Sequence, residues 1–383
     1  MTEHRLGIIM NGVTGRMGTN QHLIRSILAI MKEGGVKLVN GDTVMPDPIL
    51  VGRNTEKVEG LAREYNVERW TTNLDGAIAN VDDTLFFDSA STNLRASLLR
   101  QAIDAGKDIY CEKPSAATLE DAVDVYQRAE AAGVRHGVVQ DKIFLPGLLK
   151  MKKLMDEGFF GRLLSVKIDF GYWVFEGDWK QAQRPSWNYR KADGGGIILD
   201  MMPHWRYVLD NTFGRVKSVS CLGRVNIDKR WDEEDQRYDA DADDASYAMI
   251  ELEGGAVAQI FASWCTRVRK DDLVTFHADG THGAAVAGLT KCYTQDRPGT
   301  PSPIWNPDEP QTIKFFDTWQ EYGADLGFDN GFKSEWEMFI QSLYEDKPFH
   351  WNLREGAKGV QLAEAAMQSW QERRWIDIQE VPE

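Results

Sequence analysis

Apolar residues in the first third of the chain come in short runs separated by helical patterns. Leu6 to Met10 reads as a strand, followed by a glycine turn and a helix from about Thr19 to Lys32. Ile49 to Val51 reads as a second strand, with a helix over Thr55 to Tyr65. Thr84 to Ala90 is the next strand, followed by a helix over Asn93 to Asp104 and a strand over Asp108 to Cys111. Thr118, with Asp121 three residues on, caps a helix running to Ala132 in the manner of a capping box, and Val134 to Gln140 closes the series. Strand and helix alternating in this way predict a parallel sheet with helices on both faces. The stretch from Gly34 to Pro48, with its glycines, asparagine and two prolines, is predicted to be a long surface loop.

Past about Leu145 the rhythm changes. A helix from Pro146 to Glu157 is followed by long strand-like runs at Leu164 to Phe175, Ser218 to Ile227, Ala245 to Glu251 and Ala256 to Cys265. Glu253-Gly254-Gly255 has the composition of a tight hairpin turn. Two helices, Lys333 to Tyr344 and Glu355 to Arg373, end the pattern and are expected to pack back on the first domain. The predicted fold is α/β: an N-terminal domain over 1–144 with a parallel sheet covered by helices on both faces, then an α+β domain over 145–383 with a large open-faced, mainly antiparallel sheet.

A chain of 383 residues suits two domains, and 42% hydrophobic with 27% charged residues is ordinary globular material. The formal net charge of −15 disfavours nucleic acid and anionic membranes as partners. The first residues run into a strand pattern without a signal segment, and no apolar run approaches the roughly 20 residues that span a bilayer, so the expected location is cytoplasmic. Cys111, Cys221, Cys265 and Cys292 lie far apart and read as reduced, mostly buried thiols; no metal site is expected. Asp239-x-Asp241-x-Asp243 starts like a calcium loop, but Asp244 replaces the required glycine and Ile250 the bidentate glutamate, so it reads as a solvated loop.

Directly after the first strand comes Gly12-Val13-Thr14-Gly15-Arg16-Met17-Gly18, spaced Gly-x-x-Gly-x-x-Gly. Glycines serve here because the chain must turn tightly into a helix whose free N–H groups can meet a pyrophosphate. Thr14, Arg16 and Met17 are cofactor-contact candidates with the three glycines. A NAD-selective site ends its second strand in a carboxylate, but this chain reads Val51-Gly52-Arg53-Asn54. Arg53 suits a 2′-phosphate and Asn54 a ribose oxygen, so the expected cofactor is NAD or NADP.

Gly106-Lys107-Asp108-Ile109-Tyr110-Cys111-Glu112-Lys113-Pro114 resembles the Gfo/Idh/MocA family, named for glucose-fructose oxidoreductase and inositol dehydrogenase. In that family a strand ends in Glu-Lys-Pro, and its lysine reaches the reacting hydroxyl beside the nicotinamide. Gly194-Gly195-Gly196-Ile197-Ile198-Leu199-Asp200-Met201-Met202-Pro203-His204 is similar to the family's glycine triplet and Asp-x-x-x-His, and Ala363 to Ser369 is similar to its last helix. The resemblance implies a hydride-transferring enzyme with a Rossmann dinucleotide-binding domain over 1–144 and a substrate-binding and oligomerisation domain over 145–383, in which Lys113, Asp200 and His204 are catalytic and Ser89, Ser91, Glu112, Lys113 and Gln140 join the cofactor contacts. Two departures stand out. Ser91 and Arg95 occupy the place of the family's proline and histidine, and Gln140-Asp141-Lys142 the place of an asparagine and an arginine.

Oxidising a secondary alcohol needs a base and a cation on one oxygen. An imidazole with its ordinary pKa of about 6.5 suits the base, and an ammonium suits the developing alkoxide. Asp200 and His204, four apart, share a helix face. Trp173, Trp179, Arg184, Trp187, Arg190 and Lys191 lie near them in sequence and form the expected substrate patch, since aromatic faces suit sugar C–H surfaces and arginine forks suit hydroxyls or carboxylates; Trp205 extends it. The leading expectation is an NAD(P)-dependent oxidoreductase acting on a sugar or polyol, as a homodimer or homotetramer. The alternatives are an NAD-dependent glycoside hydrolase working by transient oxidation, on a substrate that could be anionic, and a non-catalytic dinucleotide-sensing regulator.

Overall fold

The structure, a computed structural model, describes residues 2–172, 177–268, 272–345 and 347–382. The chain divides into two compact units: 1–144, 329–361 and 380–383 form the first, and 145–328 with 362–379 the second.

In the first unit, strand β1 (Glu3–Asn11) leads into helix α1, which is π-wound over Gly18–Ile27 and α-helical over Leu28–Lys32. Next come β2 (Val36–Lys37), β3 (Thr43–Val51), α2 (Thr55–Glu64), β4 (Arg69–Thr71), α3 (Leu74–Ala79), β5 (Leu85–Asp88), α4 (Thr92–Asp104), β6 (Asp108–Cys111), α5 (Leu119–Ala132) and β7 (His136–Val138). Among the described residues they make a seven-stranded sheet in the order β2-β3-β1-β5-β6-β7, with β4 paired to β3. All pairs are parallel except β2 with β3. Ile8, Ile9 and Met10 are fully buried, as expected of a parallel strand covered on both faces. Because β1 pairs with β3 and β5 on opposite edges, the chain reverses its winding at the carboxyl end of β1, where such sheets bind ligands. The predicted cap holds: Thr118 Oγ1 accepts from Asp121 N at 3.2 Å.

The predicted loop from Gly34 to Pro48 is instead largely strand. Val44, Pro46, Pro48 and Leu50 point inward in alternation along β3, which pairs with β1 over its full nine residues. Its two prolines fall between the segments that pair with β2 and with β4, so that stretch of edge asks no ladder N–H of them. Composition alone misread this strand.

The second unit begins with α6 (Pro146–Asp156), β8 (Leu163–Gly171) and α7 (Ile197–Thr212). Strands β9 (Val216–Arg224), β10 (Lys229–Trp231), β11 (Arg237–Asp239), β12 (Ala245–Leu252), β13 (Val257–Ser263), β14 (Val274–Gly280), β15 (Gly283–Ala287), β16 (Cys292–Asp296) and β17 (Gln320–Glu321) follow. The chain ends with α8 (Gly331–Tyr344) of the first unit, α9 (Leu353–Glu372), whose residues fall in both units, and β18 (Ile376–Asp377) of the second. Among the described residues nine strands form one sheet in the order β17-β16-β15-β14-β8-β13-β12-β9-β18, antiparallel throughout except for β8 with β13. The hairpin at Gly254-Gly255 has both glycines at positive φ, +89° and +85°. Along β12, Ala248, Ile250 and Leu252 are buried while Tyr247 and Met249 are exposed, so one face of the sheet is open. No helix among the described residues is long and apolar enough to cross a membrane.

The acidic loop is corrected as well. Asp243 and Asp244 are buried, not solvated. Asp244 accepts from Asn226 N, Ile227 N and the Arg230 guanidinium at 2.8 to 2.9 Å, and Asp243 serves the helix described below.

Candidate active site

The glycine turn is shaped by close approach of backbone. Gly12 has φ +73°, and a Cβ there would meet Ala90 N at 2.5 Å; a Cβ on Gly18 would meet Ser89 Oγ at 2.7 Å. Ser89 is thus pressed against the turn, donating to Asn11 O from N (3.0 Å) and Oγ (3.1 Å). Gly15 N donates to Gly12 O, and Thr14, Gly15 and Arg16 are exposed on the rim. Met17, at the N-cap of α1, offers no side-chain cap to the leading N–H groups. This narrow backbone cradle fits a pyrophosphate. Gly52 packs on Thr14, so β3 leans on the turn and delivers Arg53 to an exposed position. Asn54 caps α2, its Oδ1 accepting from Lys57 N at 2.9 Å. Ser91 is the exposed N-cap residue of α4 and makes no side-chain capping bond. Gln140, just past β7, is buried, and its Oε1 has no hydrogen-bond partner among the described residues, which suits a polar group of a bound dinucleotide.

Lys113 sits in a turn tied down from three sides. Glu112 Oε2 accepts from Lys113 N at 3.0 Å, while Glu112 Oε1 accepts from His22 Nε2 at 2.8 Å. Trp336 Nε1 donates to His22 Nδ1 at 3.0 Å, which puts the imidazole proton on Nε2. Arg95, also buried, donates to Asp88 Oδ2 (2.9 Å), Ala90 O (2.6 Å) and Pro114 O (2.5 Å). Where the family has histidine, this chain therefore uses arginine to staple the end of β5 to the Lys113-Pro114 turn. Burial pushes the Glu112 carboxyl up, but the His22 hydrogen bond and the charges of Lys113 and Arg95 outweigh it and hold it below its usual value. Glu335 of α8, which accepts from Gln140 N at 2.8 Å, goes the other way: burial, with Asp141 and Glu112 nearby, raises it well above its ordinary value. Two buried glutamates of one unit are thus shifted in opposite directions, Glu112 by its donors and Glu335 by burial and neighbouring carboxylates.

In the second unit, α7 starts where the glycine triplet ends. A Cβ on Gly195 would strike the carbonyls of Trp187 and Asn188 at 2.5 Å, and one on Gly196, at φ +124°, would strike Asp243 Oδ1. The helix takes its cap from that distant aspartate, as Ile198 N donates to Asp243 Oδ2 at 2.8 Å. Burial pushes the Asp243 carboxyl up to about 6, against the lowering effect of that N–H. One turn on, Asp200 Oδ2 accepts from Arg184 Nη1 at 2.8 Å; Arg184 also donates to Asn188 Oδ1 and lies over the Trp264 ring at 4.8 Å. His204 is buried, with Nδ1 2.6 Å from the Tyr207 hydroxyl.

The expected aromatic and basic patch is dispersed. Trp179 and Trp187 are 71% and 51% exposed, and Trp179 lines a groove with Trp231, Gln181 and Asp235. Arg190 lies over Tyr238 and 3.9 Å from Asp232, while Lys191 lies over Trp370. Trp205 is a core residue against Phe170 and Phe276. Trp173 lies outside the described residues. Sequence reasoning missed His22, Trp336, Glu335 and Tyr207. Only Tyr207, three residues after His204, carried a local signal.

Residues 48–140 match the oxidoreductase family with an NAD-binding Rossmann fold, and residues 148–286 match the GFO/IDH/MocA C-terminal domain. The chain is 52% identical over 378 residues to a D-xylose dehydrogenase of Paenarthrobacter nicotinovorans, covering 98% of this chain and 97% of that protein.

The chain belongs to the Gfo/Idh/MocA oxidoreductase family.

A levoglucosan dehydrogenase of Pseudarthrobacter phenanthrenivorans is 22% identical over 87% of this chain and 90% of its own. The solved structure of a levoglucosan dehydrogenase in complex with NADH and L-sorbose superposes with a TM-score of 0.80 at 21% identity, covering 99% of each chain, and shares the Gfo/Idh/MocA fold. The protein is thus an enzyme with a nicotinamide-dinucleotide cofactor, and the Gly12 to Gly18 cradle and Gln140 are suited to hold it.

Proposed function

We propose that this enzyme is an NAD(P)-dependent sugar dehydrogenase that oxidises a secondary hydroxyl of a monosaccharide, with D-xylose the first substrate to test. The carrying observation is 52% identity over nearly the whole length to a D-xylose dehydrogenase. The bound dinucleotide supplies the hydride acceptor. This chain's residues manage the proton: a hydride leaves carbon, the hydroxyl proton leaves oxygen, and a carbonyl remains. Lys113 places positive charge against the oxygen. His204 takes the proton at Nε2 when Nδ1–H donates to the Tyr207 hydroxyl oxygen. Asp200, oriented by Arg184, bonds a neighbouring sugar hydroxyl. Trp187 and Trp179 offer exposed faces to a sugar ring.

Incubation with D-xylose and an aldose panel tests this. Stoichiometric appearance of NADH or NADPH supports it, whereas glycoside hydrolysis with no net reduced cofactor overturns it in favour of the transient-oxidation glycosidase. The open sheet face, with Tyr247, Met249, Leu222 and Phe261 beside Gln259 and Arg373, is proposed to be covered by a second copy of the chain. A monomer at micromolar concentration by light scattering removes that interface.

A further inference from the structure

We infer that His22 is a positioning residue for the reaction: through Glu112 it fixes the backbone that carries Lys113, and it ties that backbone to the helix that begins in the glycine cradle. The inference rests on the assignment of Lys113 to the reacting oxygen. Three hydrogen bonds converge on the Glu112 carboxylate: Trp336 Nε1 donates to His22 Nδ1 and His22 Nε2 to Glu112 Oε1 from one side, and Lys113 N donates to Glu112 Oε2 from the other. His22 and Trp336 are fully buried and Glu112 nearly so. His22 lies in α1, four residues after Gly18, whereas Glu112 ends the run from β6. One carboxylate therefore joins the cradle helix to the lysine turn, and the tryptophan sets which imidazole nitrogen faces it.

A packing role alone would not need this order. The His22 ring already touches Phe87 (4.4 Å between centroids) and Phe332 (5.3 Å), and a leucine could fill much of that space. A buried carboxylate needs donors on its oxygens, and losing one leaves its charge uncompensated. The groups that face Glu112 are His22 from α1, Arg95 from α4, Lys113 and Cys111 beside it, and Tyr110 of β6 and Glu335 of α8.

The test uses the full chain with its cofactor. Lys113→Met is measured first; if it keeps normal turnover, the Lys113 assignment falls and this inference with it. If turnover is lost, His22 is examined on its own terms. His22→Leu is expected to lower kcat by about 10- to 50-fold, the scale of a sub-ångström misplacement, with the dinucleotide Kd within about threefold. His22→Gln, which keeps an N–H for Glu112, should recover part of the loss. The acid limb of the kcat profile should move to higher pH in His22→Leu, because Glu112 then protonates more readily. In a Glu112→Gln background, His22→Leu should add less than about threefold, since both act through one link. Additive losses or an unmoved acid limb overturn the inference. Should His22→Leu fail to fold, Trp336→Phe keeps the ring packing while removing the donor and should lower kcat by about 3- to 10-fold. The 15N resonances of His22 give a readout apart from activity: Nδ1 unprotonated and Nε2 protonated in the parent supports the tautomer, and the reverse overturns it.

Discussion

The turn that carries Lys113 and the helix start that carries Asp200 hold their carboxylates by different means. In the first unit Asp88 and Glu112 are buried, and each has both oxygens met: Asp88 by Asn11 and Arg95, Glu112 by His22 and Lys113 N. In the second unit the Asp200–Arg184 pair is about one quarter exposed on each side. A buried ion pair is costly to break, because the survivor stays uncompensated in a poor solvent. A pair that keeps water contact is cheap to break and easy to retune. The relatives share an NAD-binding fold whereas their named substrates differ, so under the proposed roles rigidity suits the lysine turn and adjustability suits the Asp200 end.

The largest expected effect sharpens that contrast directly. Arg95→Met leaves Asp88 without its guanidinium and releases the Pro114 carbonyl; chemical denaturation should show a loss of about 3–5 kcal/mol. Arg184→Met should cost less than about 1 kcal/mol in the same measurement. Equal losses would erase the distinction between the two regions.

Next in size, Lys113→Ala and His204→Ala should each lower kcat by at least about 100-fold while dinucleotide binding, followed by fluorescence, stays near normal. Arg184→Met should lower kcat less and raise KM for the sugar, since it only orients Asp200. Near-normal turnover of both alanine variants on a confirmed sugar would remove them from the chemistry.

A third prediction concerns Asp243, a buried carboxylate of the second unit. Its carboxyl ordinarily titrates near 3.8 and here near 6. Below the lower value it is neutral in both the folded and unfolded states. As pH rises from there toward 6 the unfolded chain ionises first, so the folded state loses relative stability across that window, by up to about 3 kcal/mol, and the difference is constant above it. Asp243→Asn should keep the acceptor for Ile198 N and flatten the stability profile between about pH 4 and 6. A variant as steep as the parent would place the titration elsewhere.

What could be read from sequence divides along the same line as the chemistry. The glycine turn and the Thr118 cap are local patterns, in which backbone requirements within a few residues decide the outcome, whereas the Glu112-Lys113-Pro114 strand end was legible through its resemblance to the family. His22 was invisible because its partner Trp336 lies 314 residues away and no spacing rule links them. Asp243 was read as solvated because an acidic run is usually a surface, and nothing nearby reveals that α7 lacks a cap of its own. The prolines of β3 were read as loop because their tolerance depends on which neighbouring strands stop short.

The smallest expected effect tests the exposed edge of the rigid unit. Asn54 has its side-chain oxygen committed to capping α2, so Arg53 is the residue beside it with a side chain able to meet a 2′-phosphate. Gly52, packed on Thr14, brings the backbone of Arg53 to the rim of the cradle. An exposed guanidinium on a phosphate, unlike the buried Arg95, is screened by water and salt and contributes little. Arg53→Ala should therefore weaken NADP binding relative to NAD by no more than about fivefold at low ionic strength, and the difference should fade as salt approaches about 0.5 M. Parallel titrations of the two cofactors against parent and variant read this out. An unchanged NADP to NAD ratio would leave Arg53 a plain surface residue, and a loss of a hundredfold would mean that the arginine closes over the phosphate and is buried there, making this edge as fixed as the lysine turn.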